Sequence, residues 1–172
     1  MRGIAVDEQF DVVDEDDRVI GVAPRSVVHA RRWRHRAVHI FVFKTSGELL
    51  VHQRSAAKDE YPLRWTSSAS GHLHAGEDYA AAAHRELLEE LGLQGHLEFL
   101  QKFVASEATS FEHSALYRLV TDTAPRFDAG EIASGGYWPL RAVADWIDRH
   151  PDDFTPCFVT LFRWYERQFG AT

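Results

Sequence analysis

The sequence contains one cysteine, Cys157, among 172 residues, and it lacks long apolar runs. A single cysteine rules out a disulfide within the chain, which favours a reducing compartment. No apolar stretch approaches the length of a transmembrane helix, and the opening MRGIAVDEQF has no apolar signal core. The formal net charge of −7 argues against the basic surface of a nucleic-acid-binding protein. We therefore expect a soluble, cytoplasmic protein with neither a membrane nor a nucleic-acid partner.

What the chain does have is a globular composition, with 45% hydrophobic and 12% aromatic residues, which is enough for a substantial core. It shows no internal repeat, low-complexity tract or linker, and we predict a single domain over residues 1–172, with an N-terminal extension over about 1–35. Residues 9–24 alternate apolar and polar side chains around an acidic turn, which predicts a β-hairpin. Residues 37–54 predict a second hairpin around a Ser-Gly turn.

The strongest predicted helix runs from about Asp78 to Leu91 and ends at Gly92, a residue typical of helix C-termini. Its predicted apolar stripe consists of Ala80, Ala83, Leu87 and Leu91. Residues 25–36 predict either a short helix or a long connection. Further strands are predicted at 99–105, 114–120 and 136–139, and further helices near 140–149 and 155–169. Hairpins combined with separated helices are typical of a mixed sheet with helices on its faces, α/β or α+β in class.

Three glutamates occupy one arc of this helix, in the stretch HRELLEELGL. Glu86 precedes Glu89 and Glu90 by three and four positions, so the side chains are neighbours, and each like-charge pair costs roughly 0.2–0.5 kcal/mol. Either water screens this cluster as a solvated helix face, or a cation is bound against it. Glutamates at this spacing converge on a hard cation such as Mg²⁺, which prefers carboxylate and carbonyl oxygens.

The wider window GHLHAGEDYAAAAHRELLEELGL, residues 71–93, resembles the Nudix signature at every defined position. These positions are Gly71, Glu77, Arg85, Glu86, Leu87, Glu89, Glu90, Gly92 and Leu93. The resemblance implies a Nudix fold, a mixed β-sheet sandwiched between helices, to which this chain adds the N-terminal hairpin. The metal ligands that it implies are Glu86, Glu89, Glu90 and the carbonyl oxygen of Gly71. Arg85 and Glu77 are expected to pair, which ties the loop to the helix and orients the ligands.

The chemistry implied by this family is attack by water on a phosphorus atom of a diphosphate. Mg²⁺, or Mn²⁺ as a substitute, would neutralise phosphate oxygens and lower the pKa of the attacking water. Glu86 is the first candidate for the base that accepts the proton, and Glu112 in TSFEHSALY is the second. Arg85 completes the candidate catalytic set. We expect a monomeric pyrophosphohydrolase whose small-molecule substrate is a nucleoside di- or triphosphate, or another nucleoside diphosphate linked to a further group.

Outside the signature, ELLVHQRSAAKDEYPLRWTSSASGHLHAGED is similar to the isopentenyl-diphosphate isomerases, and the similarity extends from about residue 8 to 165. In the isomerases an arginine and a lysine at the positions of Arg54 and Lys58 bind the substrate diphosphate, which implies the same role for this pair. Ser70 occupies the position of the catalytic cysteine, and Cys157 is far away. This departure counts against isomerase chemistry, because a serine lacks the acidity of a thiol.

Two histidines suggest a second metal site. His35 and His72 align with metal ligands of the isomerases, whereas His29 is offset by one residue. The chain has ten histidines, so these alignments could also be coincidental.

Two further functions remain alternatives to hydrolysis. One is isomerisation of an isoprenoid diphosphate, and the other is a non-catalytic nucleotide-binding sensor. Degenerate Nudix domains of the latter kind usually lose signature glutamates, and none is missing from this chain.

Overall fold

The computed structural model describes residues 6–170 of the chain. None of the helices in that part combines the length and the apolar character that crossing a lipid bilayer requires. The α-helices are α1 (Arg25–Arg31), α2 (Tyr79–Leu91), α3 (Leu140–Arg149) and α4 (Pro156–Phe169). The strands are β1 (Gln9–Val13), β2 (Val19–Pro24), β3 (His35–Phe43), β4 (Leu49–Arg54), β5 (Trp65–Thr66), β6 (Ala69–His72), β7 (Glu98–Phe103), β8 (Glu112–Val120) and β9 (Ile132–Trp138). The predicted N-terminal extension begins with residues 1–5, which lie outside the described residues.

The predicted mixed sheet is present, and strand β3 is at its centre. It runs parallel to β8 along its whole length and antiparallel to β6. β7 adds to β8, while β4 pairs with β9 and β5. The predicted hairpin over 37–54 is present only at its tip, where Phe43 pairs with Leu49. The two strands separate beyond this point because β3 takes β6 and β8 as its main partners.

Helices cover both faces of the sheet. The alternation along β3 sends Val38, Ile40 and Val42 to one face, and Phe41 and Phe43 to the other. The first face packs against α2, whose buried alanines let the helix approach the sheet closely, and the second packs against α3 and α4. Buried aromatic side chains of α4 in this second layer are Phe158, Phe162 and Tyr165. The aromatic spacing of the last helix therefore serves core packing.

The N-terminal hairpin of β1 and β2 is confirmed as a separate antiparallel pair. Phe10 of this hairpin packs on Val28 of α1, so residues 25–36 do contain a short helix. Arg32 ends α1 in the left-handed conformation, with a φ of 54°. The chain thereby turns directly from α1 into β3, which places α1 beside the beginning of the central strand.

Helix α2 begins after Asp78, whose side chain caps the N-terminus, and ends at Gly92 with a φ of 63°. Its buried face differs from the predicted stripe, because Ala80 is exposed and Ala82 is buried. Glu90 lies on the buried face and is only 6% exposed. Buried charge at this position is a feature of the site rather than of the core, since an ionised carboxylate in the interior needs a compensating partner.

Leu87 and Leu88 provide a test of this packing. Leu87 is fully buried between α2 and the sheet, whereas Leu88 is 48% exposed. We expect Leu87→Ala to lower the free energy of unfolding by about 2–5 kcal/mol, because the change leaves a cavity, and Leu88→Ala to change it by less than about 0.5 kcal/mol. Urea denaturation followed by circular dichroism measures both, and equal losses would contradict the described orientation of α2.

Candidate functional site

One open cavity of about 340 Å³ lies between α2, β6, the first half of β3 and the N-terminus of α4. The structure brings all the site residues predicted from the sequence to its walls. These residues are Arg54, Lys58, Gly71, Arg85, Glu86, Glu89, Glu90 and Glu112. Residues that are far apart in the sequence therefore surround one volume large enough for a small ligand.

The acidic face of α2 forms one wall of this cavity. Burial raises the pKa of Glu86 to about 7, with repulsion from Glu89 and Glu131 adding to the effect and the Arg85 guanidinium opposing it. Burial also raises the pKa of Glu90 well above its usual range, and the charges of Glu86 and Glu131 raise it further. A cation bound between these carboxylates would relieve both the desolvation and the repulsion. Their oxygen-only chemistry fits Mg²⁺ or Mn²⁺.

Gly71 allows the Glu86 carboxylate to lie directly against strand β6. A Cβ atom at position 71 would be 2.1 Å from Cδ and 2.2 Å from Oε1 of Glu86. These separations are far below any van der Waals contact, so the carboxylate fills the space that a side chain would take. The backbone of Gly71 and the carboxylate of Glu86 thus sit next to each other, as a shared metal site requires.

Arg85 holds the loop before α2 onto the helix. Its Nε donates to Glu77 at 2.8 Å, which is the ion pair that the sequence predicts. Its other nitrogens donate to Glu86 at 2.7 Å and to the carbonyl of His72 at 3.0 Å. These bonds connect the loop, β6 and α2 through one guanidinium group, so Arg85 orients Glu86 rather than facing the cavity alone.

Arg54 and Lys58 line the same cavity, and each has a partner within the chain. Lys58 pairs with Glu131, and Arg54 donates through Nε to the carbonyl of Glu60 at 3.0 Å. Glu131 also lines the cavity and contributes to the raised pKa of Glu86 and Glu90. Sequence reasoning did not identify Glu131, because DAGEI in front of β9 has no motif that distinguishes it from a solvated loop.

Three histidines and a glutamate form a second cluster beside the acidic face. The ring centroids of His29, His35 and His72 are 4.9–5.2 Å apart. Glu112 places Oε1 at 2.8 Å from Nε2 of His72 and at 3.7 Å from Nε2 of His35. His29 joins the cluster despite its one-residue offset, because the left-handed turn at Arg32 brings the end of α1 back to the beginning of β3.

Two ring nitrogens of this histidine cluster lack a hydrogen-bond partner within residues 6–170 and are available to bind a metal ion. Nε2 of His29 and Nε2 of His35 are buried and have no hydrogen-bond partner among the described residues, which is unusual for buried polar atoms. Burial, together with the charges of His35 and Arg25, lowers the pKa of His29 to about 4, so its ring is a neutral ligand at pH 7. Imidazole and carboxylate donors fit Mn²⁺ or Zn²⁺.

Cys157 is far away only in the sequence, and the structure corrects the expectation built on that distance. Its thiol lines the same cavity as Ser70 and Glu112. Sγ of Cys157 is 3.4 Å from Nε2 of His39, whose other nitrogen is 2.8 Å from Oγ of Ser67. The cavity therefore contains a thiol although Ser70 occupies the cysteine position of the isomerases.

Comparison with known proteins identifies the family of this chain. A family model for the NUDIX domain matches residues 33–156, and the chain belongs to the Nudix superfamily. An isopentenyl-diphosphate Delta-isomerase of Serratia proteamaculans is 32% identical over 163 residues, 92% of this chain and 91% of the relative. A Nudix hydrolase of Streptomyces coelicolor, named as uncharacterized, is 38% identical over 138 residues, 78% of this chain and 76% of the relative. Similarity to the isomerase-like branch is thereby confirmed.

Solved structures show the same fold. A protein of Deinococcus radiodurans superposes with a TM-score of 0.76 at 29% identity, covering 83% of this chain and 90% of that chain. A NUDIX domain of Shewanella oneidensis in complex with ADP ribose superposes with a TM-score of 0.62 at 13% identity, covering 85% of this chain and 99% of that chain. The family and these relatives support a pyrophosphohydrolase-type activity in general terms.

Gly71→Ala tests the contact between β6 and α2. The added Cβ would displace the Glu86 carboxylate, and we expect Mg²⁺ to bind at least about tenfold more weakly, by analogy with the loss of groups that orient metal ligands. Gly21→Ala is the matched control, because nothing lies within 4 Å of a Cβ at that position. Calorimetric titration of both variants with Mg²⁺ measures the effect, and wild-type affinity in Gly71→Ala would contradict it.

The pH dependence of stability in the metal-free protein tests the burial of Glu86. Because the pKa of Glu86 is raised to about 7, the folded chain keeps a proton that the unfolded chain releases near pH 4.5, and the free energy of unfolding falls as the pH rises through this window. Glu86→Gln removes that loss. We expect the Tm of the variant relative to wild type to increase between about pH 4.5 and 7 and to level off above.

Glu89→Gln serves as the control for this pH series, because the Glu89 side chain is 58% exposed. Its Tm relative to wild type should change far less over the same pH range. Thermal unfolding followed by circular dichroism in the presence of a chelator measures all three proteins. Parallel curves for wild type and Glu86→Gln would show that the carboxylate of Glu86 is solvated.

Proposed function

We propose that this protein hydrolyses a diphosphate linkage in a nucleoside di- or triphosphate, or in another nucleoside diphosphate linked to a further group, with Mg²⁺ as the cofactor. The observation that carries the proposal is that the acidic face of α2 lines the same cavity as Arg54 and Lys58. The carboxylates can hold cations, and the cationic side chains can hold phosphate oxygens. The Nudix family supports the class of reaction.

The proposed metal ligands are the carboxylates of Glu86, Glu89 and Glu90 with the carbonyl oxygen of Gly71. When bound there, Mg²⁺ supplies charge neutralisation at the phosphate and a lowered pKa of water. Arg54 and Lys58 bind the non-reacting phosphate oxygens, and Arg85 keeps the loop, β6 and α2 in register. The oxygen of water bonds to phosphorus while its proton passes to the base, and the bridging P–O bond breaks. The bridging oxygen leaves on the second phosphorus, so each product carries a phosphate group.

Glu86 is the better of the two candidate bases. Oε1 of Glu112 lies 2.8 Å from Nε2 of His72. Burial would raise the pKa of Glu112, but the neighbouring imidazoles of His35, His39 and His72 lower it well below the usual range. A carboxylate with so low a pKa is a poor proton acceptor. Glu86 lies at the cavity wall, and burial raises its pKa to about 7 in the metal-free protein, so it is not held deprotonated by histidines as Glu112 is.

A second ion belongs to this proposal. We assign it to His29, His35, His72 and Glu112, because two ring nitrogens of that cluster are buried without partners. The bound ion would be Mn²⁺ or Zn²⁺, since imidazole is a softer ligand than the carboxylates of α2. It would also keep Glu112 in place at the cavity wall.

The chemistry of the cavity walls and the names of two proteins of similar fold support the proposed substrate class. The NUDIX domain of Shewanella oneidensis was solved in complex with ADP ribose. A second protein of similar fold is an Ap4A hydrolase of C. elegans, so the two molecules to compare are ADP ribose and Ap4A. Both molecules contain phosphoanhydride bonds attached to a nucleoside. We propose a nucleotide of this general kind as the small-molecule partner.

Hydrolysis of a nucleotide panel in the presence of Mg²⁺ tests the proposed function. We expect release of phosphate, pyrophosphate or a nucleoside monophosphate, and a kcat lowered by about 10²–10⁴ in Glu86→Gln if Glu86 is the base. Glu15→Gln is the control, because that side chain is 79% exposed in the N-terminal hairpin. Product identification shows which phosphorus is attacked.

No release above the level of Glu90→Gln would contradict hydrolysis. Tight nucleotide binding without turnover would instead indicate a sensor.

Isomerisation of an isoprenoid diphosphate is the second candidate, favoured by two observations. The histidine cluster includes the residues that align with isomerase metal ligands, and Cys157 supplies a thiol to the cavity that contains Glu112. Exchange of deuterium from D₂O into isopentenyl diphosphate tests this candidate. Its presence in wild type and absence in Cys157→Ser would support isomerisation, and its absence in wild type would exclude it.

A further inference from the structure

We propose that His39, Glu112 and Cys157 form a thiolate-containing metal site, which is distinct from the acidic face of α2 and shares only Glu112 with the histidine cluster. One potential ligand atom from each of the three side chains lies within 4.8 Å of the others, and all three residues are buried. Each comes from a different element, β3, β8 and α4, so the site depends on the tertiary fold. The ion would be Zn²⁺ or a similar borderline metal.

The distances match the requirements of a small tetrahedral ion. Sγ of Cys157 is 3.4 Å from Nε2 of His39, and Nε2 of His39 is 4.0 Å from Oε2 of Glu112. With zinc bonds of 2.0–2.3 Å, adjacent ligand atoms of a tetrahedron are about 3.3–3.8 Å apart. The three side chains are thus close to ligand spacing before any movement, and the cavity side leaves a fourth position for water or substrate.

The surroundings of these ligands have the form expected for a metal site. Nδ1 of His39 bonds to Oγ of Ser67 at 2.8 Å, which directs Nε2 towards Cys157 and Glu112. Oγ of Ser114 is 3.8 Å from Sγ of Cys157, at a distance where it can donate to a thiolate. Such outer hydrogen bonds fix the orientation of metal-bound imidazole and sulfur. His39, Glu112 and Cys157 all line the cavity, which provides an entry path.

Glu112 connects this site to the histidine cluster. Its Oε1 atom faces His72 at 2.8 Å, while its Oε2 atom faces His39 at 4.0 Å. One carboxylate is therefore directed at two donor sets and can bridge two ions. The thiolate site adds to the ion proposed for His29, His35 and His72 and does not require it.

The two kinds of ligand would select different metal ions. Thiolate and imidazole favour Zn²⁺ over Mg²⁺, whereas the oxygen ligands of Glu86, Glu89 and Glu90 favour Mg²⁺. A thiolate that binds a metal is also unable to exchange protons with a substrate. Metal binding at Cys157 and an acid–base role of the same thiol are consequently exclusive.

Titration of the metal-free protein with Co²⁺ tests the proposed site. Cys157 is the only cysteine of the chain, so a thiolate-to-cobalt charge-transfer band in the near ultraviolet can arise from no other residue. We expect this band in wild type, its loss in Cys157→Ser, and its retention in His29→Ala, which alters only the neighbouring cluster. His39→Ala should weaken binding at the thiolate site by at least about tenfold.

Alkylation of Cys157 provides a second measurement that does not depend on the folding of a cysteine variant. Zn²⁺ should slow the reaction of the thiol with iodoacetamide at least about tenfold in wild type and in His29→Ala. Binding of Co²⁺ without a charge-transfer band, or alkylation rates unaffected by Zn²⁺, would overturn the proposal. Neither readout involves turnover, so failure of the proposed hydrolysis would leave both results intact.

Discussion

The close approach of the Glu86 carboxylate to the backbone of Gly71 is the constraint on which the cavity depends. A Cβ atom at this point of β6 would collide with the Glu86 carboxylate where it now lies, and the buried alanines of α2 permit the same short distance along the helix. Arg85 then connects the loop, the strand and the helix from the side. Because β6 pairs with β3, and β3 with β8, this one contact places the acidic helix face beside the histidines and Glu112.

The fold concentrates groups that are unfavourable without a ligand. Two carboxylates of α2 are held in an environment that raises their pKa, and two buried ring nitrogens have no partner among the described residues. The burial of these polar groups lowers the stability of the folded chain. Apolar packing in the two cores, one on each face of the sheet, offsets this loss. Ligands that bind only the folded chain add to its stability by mass action. Cation binding and folding are for this reason expected to be linked.

Local patterns predicted the parts of this protein whose determinants are local. The helix of the signature, its end at Gly92, and the N-terminal hairpin follow from periodicity and turn chemistry. The pairing over 37–54 was only partly predictable, because the partner strands of β3 come from distant segments. The burial of Glu90 and the exposure of Ala80 also escaped prediction, since a helical pattern leaves open which neighbouring row faces the sheet.

The candidate site shows the same division. The signature and the isomerase similarity identified eight residues that now line one cavity, because fixed spacings within one element carry that information. His29 was missed because a left-handed residue at the end of α1 compensates for a shift of one position. Cys157 and Glu131 were missed because their proximity to the cavity arises from tertiary packing alone, with no neighbouring motif.

The ion pair between Lys58 and Glu131 couples two kinds of binding. A diphosphate that engages Lys58 competes with this carboxylate for the ammonium group, so anions of low charge should bind less well than anions of high charge. Glu131, once released, adds its negative charge to the neighbourhood of Glu86 and Glu90, whose proton affinity it already influences. Each phosphate ligand would thereby increase the affinity for a cation, and by thermodynamic reciprocity each cation would increase the affinity for the phosphate ligand.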